Sequence, residues 1–434
     1  MRTTIPPHRL QDPEVEASEK VLRACVHCGF CNATCPTYLL TGNELEGPRG
    51  RIYLIKSVLE EDVPPSRQTV EHIDNCLGCL ACETTCPSGV DYSLLLETAR
   101  PRLDQLVKRP LMDRLLRAML TRMLPYPGRT RLALRMSGVG RMFSFLMPRV
   151  MRPLLAMAPK RLPRPAAVAR PGVVSAEGTR RLRVALLTGC VQQVLGPQIN
   201  DATVRLLTRL GAEVVIPPDM GCCGALTFHM GERKRSLKLM QHTIEVWHRE
   251  LEAGGLDAIV LNTSGCGTAI KEYDHIFRHD PQWADKAKAV VERVRDVSEV
   301  VAQLGLGEAN HAPALKVAYH DACSLQHGQR VTDPPRQLLQ AAGFDVVEVP
   351  EGHICCGSAG TYNMLRPDLA QQLQARKVEH IASVAPQIVA AGNIGCMEQI
   401  AARAEVPVVH TVELLDWATG GPRPAGVPSE AAER

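Results

Sequence analysis

Leu182-Arg-Val-Ala-Leu-Leu-Thr-Gly-Cys190 is matched further along the chain by Leu315-Lys-Val-Ala-Tyr-His-Asp-Ala-Cys323. Working outward, Leu206-Leu207-Thr-Arg-Leu-Gly211 and Glu213-Val-Val find their counterparts in Leu338-Leu339-Gln-Ala-Ala-Gly343 and Asp345-Val-Val. Cys222-Cys223-Gly224 pairs with Cys355-Cys356-Gly357, and Asp257-Ala-Ile-Val-Leu-Asn-Thr-Ser-Gly-Cys266 with Pro386-Gln-Ile-Val-Ala-Ala-Gly-Asn-Ile-Gly-Cys396. The offset stays between 130 and 133 residues throughout, which makes this an internal duplication. Each half reads as strand, helix, strand, helix, strand, helix. The strands are short β-branched runs such as Val214-Val215-Ile216 and Val346-Val347, and the helices stop at Gly211 and Gly343. That alternation predicts parallel βαβ units. Cys190, Cys266, Cys323 and Cys396 each follow a predicted strand, and each Cys-Cys-Gly follows another after a short loop. An open parallel sheet binds ligands at its carboxyl edge, so four sulfurs per half are expected to converge there.

Upstream lie two further cysteine runs, Cys25-x2-Cys28-x2-Cys31-x3-Cys35-Pro36 and Cys76-x2-Cys79-x2-Cys82-x3-Cys86-Pro87. This is the bacterial spacing for [4Fe–4S] clusters. Three thiolates at i, i+3 and i+6 wrap one cube on a tight loop, with Gly29 and Gly78 supplying backbone freedom, while the fourth, turned away by the proline, reaches the other cube. One cluster is thus expected on Cys25, Cys28, Cys31 and Cys86, the other on Cys76, Cys79, Cys82 and Cys35. Zinc sites instead pair a C-x2-C with a distant second pair. The forty residues between the runs exceed what a compact β ferredoxin needs. Pro48 to Glu61 and Ser66 to Asp74 read as helices, which predicts an all-helical two-cluster domain. Neither cluster keeps an open coordination position, so the pair is expected to act as a wire.

All 16 cysteines fall into these two patterns. In a reducing compartment so many thiols are metal ligands before they are disulfides. In a chain of 434 residues with 45% hydrophobic and 22% charged residues, no apolar run approaches a membrane span. Residues 1–20 lack the apolar core of a secretory signal. A cytoplasmic protein is expected. No G-x-G-x-x-G follows a predicted strand, and no nucleophile elbow, P-loop or HExxH occurs, so an organic cofactor such as flavin is expected on another chain.

The duplicated Cys-Cys-Gly elements resemble the CCG cysteine-rich domain shared by heterodisulfide reductase and the iron–sulfur subunits of glycolate, lactate and anaerobic glycerol-3-phosphate dehydrogenases. Two such domains behind a two-cluster ferredoxin look most like the glycolate oxidase iron–sulfur subunit family. Pro48-Arg-Gly-Arg-Ile52 and Cys355-Cys-Gly-Ser-Ala-Gly-Thr-Tyr-Asn363 also read like that family, and the likeness runs over residues 21–420. The resemblance implies an α+β multidomain chain: an N-terminal all-helical two-[4Fe–4S] ferredoxin domain followed by two repeated α/β parallel-sheet CCG domains. It implies metal binding by Cys190, Cys222, Cys223 and Cys266 in the first half and by Cys323, Cys355, Cys356 and Cys396 in the second. Heterodisulfide reductase closes its motif with a C-x2-C, whereas Ala269 and Gln399 stand at those places here. Four thiolates per half suit either a further iron–sulfur cluster or a closed zinc site.

The implied function is electron transfer within a glycolate (2-hydroxy acid) dehydrogenase complex, from a flavin-containing subunit towards membrane quinone. The alternatives are a subunit of an anaerobic glycerol-3-phosphate or lactate dehydrogenase, a heterodisulfide-reductase-like catalytic chain, and a zinc-built docking scaffold. The expected organisation is a polar lead (1–20), the helical ferredoxin domain (21–100), a basic Met/Arg-rich connector (101–180), the CCG repeats (181–310 and 311–420) and a disordered tail (421–434).

Arg100 to Arg164 holds sixteen Lys or Arg against two acids, within a chain of net charge +4, and eight of its 14 methionines, Met112, Met119, Met123, Met136, Met142, Met147, Met151 and Met157. Leu111, Leu115, Leu116, Met119 and Met123 form an apolar stripe at helical spacing, with Arg114, Arg117 and Arg122 elsewhere on the wheel. This suits peripheral attachment to the inner face of the membrane or a packed connector; nucleic acid is not expected. His320 and Asp321 read as outer hydrogen-bonding groups near Cys323, and His27 and His353 as surface or outer-layer residues.

Overall fold

The structure is a computed structural model that describes residues 1–61, 64–142, 158–159, 161–309 and 311–428. Met147, Met151 and Met157 of the connector and the last six residues of the tail lie outside the described residues. The N-terminal unit is helical: α1 (Pro13–Ala24), α2 (Pro36–Thr41), α3 (Pro48–Glu60), α4 (Arg67–Asp74), α5 (Ala81–Thr84) and α6 (Tyr92–Leu106). Prolines open α2 and α3, and Ser66 caps α4 by accepting a hydrogen bond from the Thr69 amide. Leu22, Ile55, Leu59, Ile73 and Leu95 fill the core between these helices. Residues expected as a polar lead contribute to it: Val15 on α1 and Ile5 before it are buried, and Ser18 Oγ donates to Thr98 Oγ1 on α6 at 2.9 Å. Their apolar positions are too widely spaced among acids to stand out in the sequence.

Two sheets follow. The first has the order β1-β3-β2-β4-β5, with β1 (Gly172–Val174), β2 (Leu182–Leu186), β3 (Ala212–Ile216), β4 (Ala258–Leu261) and β5 (Val294–Asp296). The second runs β7-β6-β8-β9, with β6 (Lys316–His320), β7 (Asp345–Val347), β8 (Ile388–Ala391) and β9 (Val408–His410). All pairings are parallel except β1 on β3. β2 to β5 and β6 to β9 have the same order, so the duplication extends to topology. Each half therefore carries four parallel strands where the sequence reading gives three. β5 and β9 were missed because each is three residues long and ends on a polar helix cap, Asp296 or His410. β1, inside the expected connector, is an equally short edge strand.

Helices α9 (Pro197–Arg209), α12 (Val297–Leu304), α13 (Asp333–Ala341) and α16 (Thr411–Ala418) pack between the sheets, and residues of both halves join one apolar core. Asp416, 1% exposed, fixes the junction by accepting from Arg205 at 2.6 Å and Arg209 at 3.1 Å. Val427, expected in a disordered tail, is buried in the same core because an apolar residue there has a surface to cover. The remaining helices used below are α10 (Arg233–Gly254), α11 (Ser264–Lys271), α14 (Pro367–Ser383) and α15 (Ile394–Ala401).

The connector forms α7 (Leu111–Met123) and α8 (Pro127–Met142). Its apolar stripe is only partly the buried face: Leu116 is buried and Met119 packs beside it, but the stripe's first turn is not. Leu116, Arg117, Leu120 and Thr121 are buried, while Leu111 and Leu115 are 70% and 55% exposed. Arg117 turns inward because Asp74, at the end of α4, lies beneath it. Asp74 accepts from Arg109, from Arg117 at 3.2 Å and from Arg366 at 3.2 Å, tying the helical unit, the connector and the second half together.

Candidate functional site

The two N-terminal cysteine loops have the same backbone. His27 and Gly29 in the first, and Gly78 and Leu80 in the second, all adopt positive φ (62°, 89°, 64° and 61°), so each loop spends one glycine and one strained residue on the same turn. Cys25, Cys28, Cys31 and Cys86 line one small cavity, which Cys82 also touches. Cys35, Cys76, Cys79 and Cys82 line another. The fourth cysteine of each run thus sits with the other run. Burial pushes the Cys31 thiol up to about 11 and the Cys79 and Cys82 thiols well above their ordinary range, so a metal entering here displaces protons. Around Cys35 lies a polar network absent from the sequence reading. Arg51, 1% exposed, donates to Glu46 at 2.7 Å, to Thr37 Oγ1 at 3.1 Å and to the His72 carbonyl at 2.7 Å, with Nη1 3.9 Å from Cys35 Sγ. The Tyr92 hydroxyl points at Cys76 Sγ, 3.8 Å away. Such groups, buried and aimed at sulfur, tune a cluster's potential.

In the α/β region Cys190 and Cys266 follow the adjacent strands β2 and β4, and Cys323 and Cys396 follow β6 and β8. These are the points where strand order reverses, the crevice predicted for a ligand. Cys266 and Cys396 ride in the first turns of α11 and α15. The Cys-Cys-Gly turns bring in the other sulfurs: Cys222 Sγ lies 3.5 Å from Cys190, and Cys323 Sγ 3.7 Å from Cys355. Their glycines are obligatory. Gly224 and Gly357 have φ of +80° and +89°, and a Cβ on Gly357 would stand 2.6 Å from the Ala370 carbonyl of α14. The vicinal carbonyls are held as well, that of Cys223 accepting from the Tyr273 hydroxyl at 2.6 Å and that of Cys222 from Thr243 at 3.2 Å.

The sulfur spacing bears on the metal. A tetrahedral zinc with bonds of about 2.3 Å holds all its sulfurs within about 4 Å of one another. One edge of each CCG set is that short, yet among the described residues no third sulfur lies within 4.8 Å of both partners. An all-thiolate set of four fits an iron–sulfur cluster or a closed zinc site. Three donors do converge within 4.8 Å at one place: His320, Cys356 and Cys396. The neighbouring Asp321 is taken up by Arg336 at 2.6 Å, whereas His320 lacks the outer hydrogen bond expected for it. Burial holds the His320 imidazole neutral, its pKa down at about 3. Lys377 of α14, also buried, donates to the Glu351 carbonyl at 2.8 Å and is close enough to Cys355 and Cys356 for their charges to act on it.

Both sets open on one cavity of about 250 Å³, lined by Cys190, Cys223 and Cys266 from one half and Cys323, Cys355 and Cys396 from the other. Leu77, Gly78 and Leu80 of the second N-terminal loop form part of its wall. Cys79 is near enough to Cys323 and Cys355 for charge to be felt between them. Across the junction Thr84 Oγ1 meets His327 Nδ1 at 2.8 Å, and the Tyr362 hydroxyl donates to the Asn75 carbonyl at 3.0 Å. Also in the cavity's lining, burial pushes the carboxyls of Glu97 and Glu272 up to about 8 and about 7. The first loop faces outward instead, with Cys28, Val26 and Phe30 exposed. His27 Nε2 stands 3.2 Å from the Arg49 carbonyl.

Residues 21–90 match the family described as a 4Fe-4S dicluster domain, and residues 184–271 and 317–401 each match the cysteine-rich CCG domain. The chain is 40% identical to the glycolate oxidase iron-sulfur subunit of Escherichia coli (strain K12), over 96% of this chain and 99% of that protein. It belongs to the glycolate oxidase iron–sulfur subunit family. A probable glycolate oxidase iron-sulfur subunit of Bacillus subtilis (strain 168) is 33% identical over 93% of this chain and 95% of its own length. Lactate utilization protein A of Oceanobacillus iheyensis is 28% identical over 54% of this chain and 97% of that protein. Among solved structures, a hypothetical protein from Helicobacter pylori shares the fold, with a TM-score of 0.55 and 10% identity over 95% of this chain and 73% of that one. Iron–sulfur clusters are therefore the cofactor class of the family's domains found here. Among the described residues no helix is long and apolar enough to cross a membrane.

Proposed function

We propose that this chain is the electron-transfer subunit of a cytoplasmic glycolate-oxidising complex, receiving electrons from a flavin-bearing partner and delivering them towards membrane quinone. The observation that carries the reading is the sequence of cysteine sets from surface to interior: an exposed loop, a more buried loop, then the second CCG set beside Cys79. Cys25, Cys28, Cys31 and Cys86 would hold the outer [4Fe–4S] cluster, and Cys76, Cys79, Cys82 and Cys35 the inner one. The CCG sets, Cys190, Cys222, Cys223 and Cys266 and then Cys323, Cys355, Cys356 and Cys396, would hold further iron–sulfur centres. Such clusters supply one-electron storage without bond-making at substrate. The protein's part is to bind, bury and order them. Val26, Phe30 and Tyr53, all exposed beside the outer set, offer an apolar face to the flavin partner.

Membrane contact is assigned to the connector. Leu111, Met112, Leu115, Leu132 and Met136 are exposed along α7 and α8, amid the exposed Arg114, Arg122, Arg129 and Arg135. An apolar surface rimmed by arginine suits an anionic leaflet. Heterodisulfide chemistry is disfavoured by Gln399, whose amide is spent on Asn363 and on the Ala370 carbonyl.

The deciding experiment is iron, acid-labile sulfide and zinc per chain on anaerobically purified protein, followed by glycolate-driven quinone reduction with the flavin partner. Iron clearly above about eight per chain supports clusters in the CCG sets. About eight irons with about two zincs confines electron transfer to the helical unit. Reduction by lactate but not glycolate would reassign the donor.

A further inference from the structure

The two CCG sets are duplicates in their cysteines but differ one strand-end earlier. Leu187 stands three residues before Cys190, and His320 three before Cys323. His320 is 1% exposed, and neither ring nitrogen has a hydrogen-bond partner. Other histidines near the cysteine sets are differently placed. His27 meets the Arg49 carbonyl, and His327 bridges Thr84 and the His353 carbonyl, while His229, lining the shared cavity and near enough to Cys223 for charge to act between them, joins no three-donor cluster among the described residues. A buried imidazole with both nitrogens idle is expensive to keep unless something binds there. What lies against it is sulfur: a ring nitrogen and the Sγ atoms of Cys356 and Cys396 fall within 4.8 Å of one another. Asp321, the adjacent carboxylate that could have served it, is engaged by Arg336.

We propose that His320 is a metal ligand of the second CCG set, which gives that set a mixed imidazole–thiolate donor shell. The inference rests on the reading of the CCG sets as metal sites. The chemistry follows from charge. A neutral imidazole brings a lone pair but no negative charge, and replacing thiolate by histidine raises a centre's reduction potential. The buried Lys377 beside Cys355 and Cys356 acts in the same direction. The two halves would then differ in electron affinity despite matching cysteines, with the higher potential on the half that Cys79 faces.

The test uses holoprotein purified anaerobically, natural-abundance or labelled with 15N-histidine, reduced with dithionite and read by pulsed EPR. The expected result is a directly bonded imidazole nitrogen whose coupling changes with the label and vanishes in His320→Leu, the residue the first half already carries. Coupling absent from the wild type, or persisting in His320→Leu, overturns the assignment. If His320→Leu yields no holoprotein, His27→Gln and His229→Gln decide the matter. Coupling that survives both supports His320, and loss in either overturns it. The metal count tests the underlying reading separately. Should the CCG sets carry zinc instead, X-ray absorption at the zinc edge takes the place of EPR. One nitrogen donor lost in His320→Leu sustains the ligand, and an all-sulfur shell refutes it, as does a second set without metal.

Discussion

The helical unit and the duplicated α/β pair gather their sulfurs in opposite ways. In the helical unit three cysteines of each set come from one seven-residue loop, and only the fourth is borrowed. In each CCG set the sulfurs arrive from two strand ends and a Cys-Cys-Gly turn, so the site exists only once a sheet has formed. The first design is nearly independent of the rest of the chain, while in the second any metal site would depend on the fold of the sheet.

Substituting one cysteine in each region probes that difference most strongly. Cys79→Ser should cost about four irons per chain and abolish quinone reduction, while the partner flavin is still reduced by substrate. Cys266→Ser should leave the two clusters of the helical unit spectroscopically intact and lose only the metal of the first CCG set. If Cys266→Ser also strips the helical unit, the two regions are not independent.

Next in size is the hub that joins them. Asp74→Asn leaves Arg109, Arg117 and Arg366 around a neutral group, and breaking a buried ionic cluster costs ~3–5 kcal/mol. The expected outcome is a lower thermal midpoint, with limited proteolysis releasing the helical unit from the sheets. Neutralising Arg114, Arg122 and Arg129 together should weaken binding to anionic liposomes by about a hundredfold, at about 1 kcal/mol per arginine, with no change on neutral lipid. Unchanged binding would leave α7 and α8 as connector only.

The smallest expected effect lies in the cavity wall between the regions. Burial holds the Glu97 carboxyl up at about 8, against its ordinary 4.5. The unfolded chain gives up that proton near 4.5 and the native chain only near 8, so native stability falls as pH rises across that window. Glu97→Gln should narrow the difference in thermal midpoint between pH 5 and pH 8.5, by roughly a few degrees. An unaltered difference would mean that Glu97 ionises freely in the native protein.

The sequence was most legible where spacing is local or repeated. The cysteine loops follow from C-x2-C-x2-C, α3 from Pro48 and its apolar pattern, and the CCG crevices from a duplication long enough to align strand ends. Residues that approach from unrelated elements left no signature. Arg51 reaches Cys35 from α3, Tyr273 reaches the Cys223 carbonyl from fifty residues away, and Lys377 lies against Cys355 and Cys356 from α14. The helical wheel of α7 indicated an amphipathic helix and placed Leu116 on its inner face, but not Arg117, because Asp74 on another helix selects Arg117 for burial. β5 and β9 escaped because three residues carry too little pattern.

Cys28 is exposed, whereas Cys79 is only partly exposed and its companions Cys35, Cys76 and Cys82 are buried. The opening that lets an electron donor approach the outer loop admits dioxygen and chelators equally. Damage in air should therefore begin at the periphery and spare the interior, so that a partly degraded preparation keeps its inner centres but can no longer be charged by its partner.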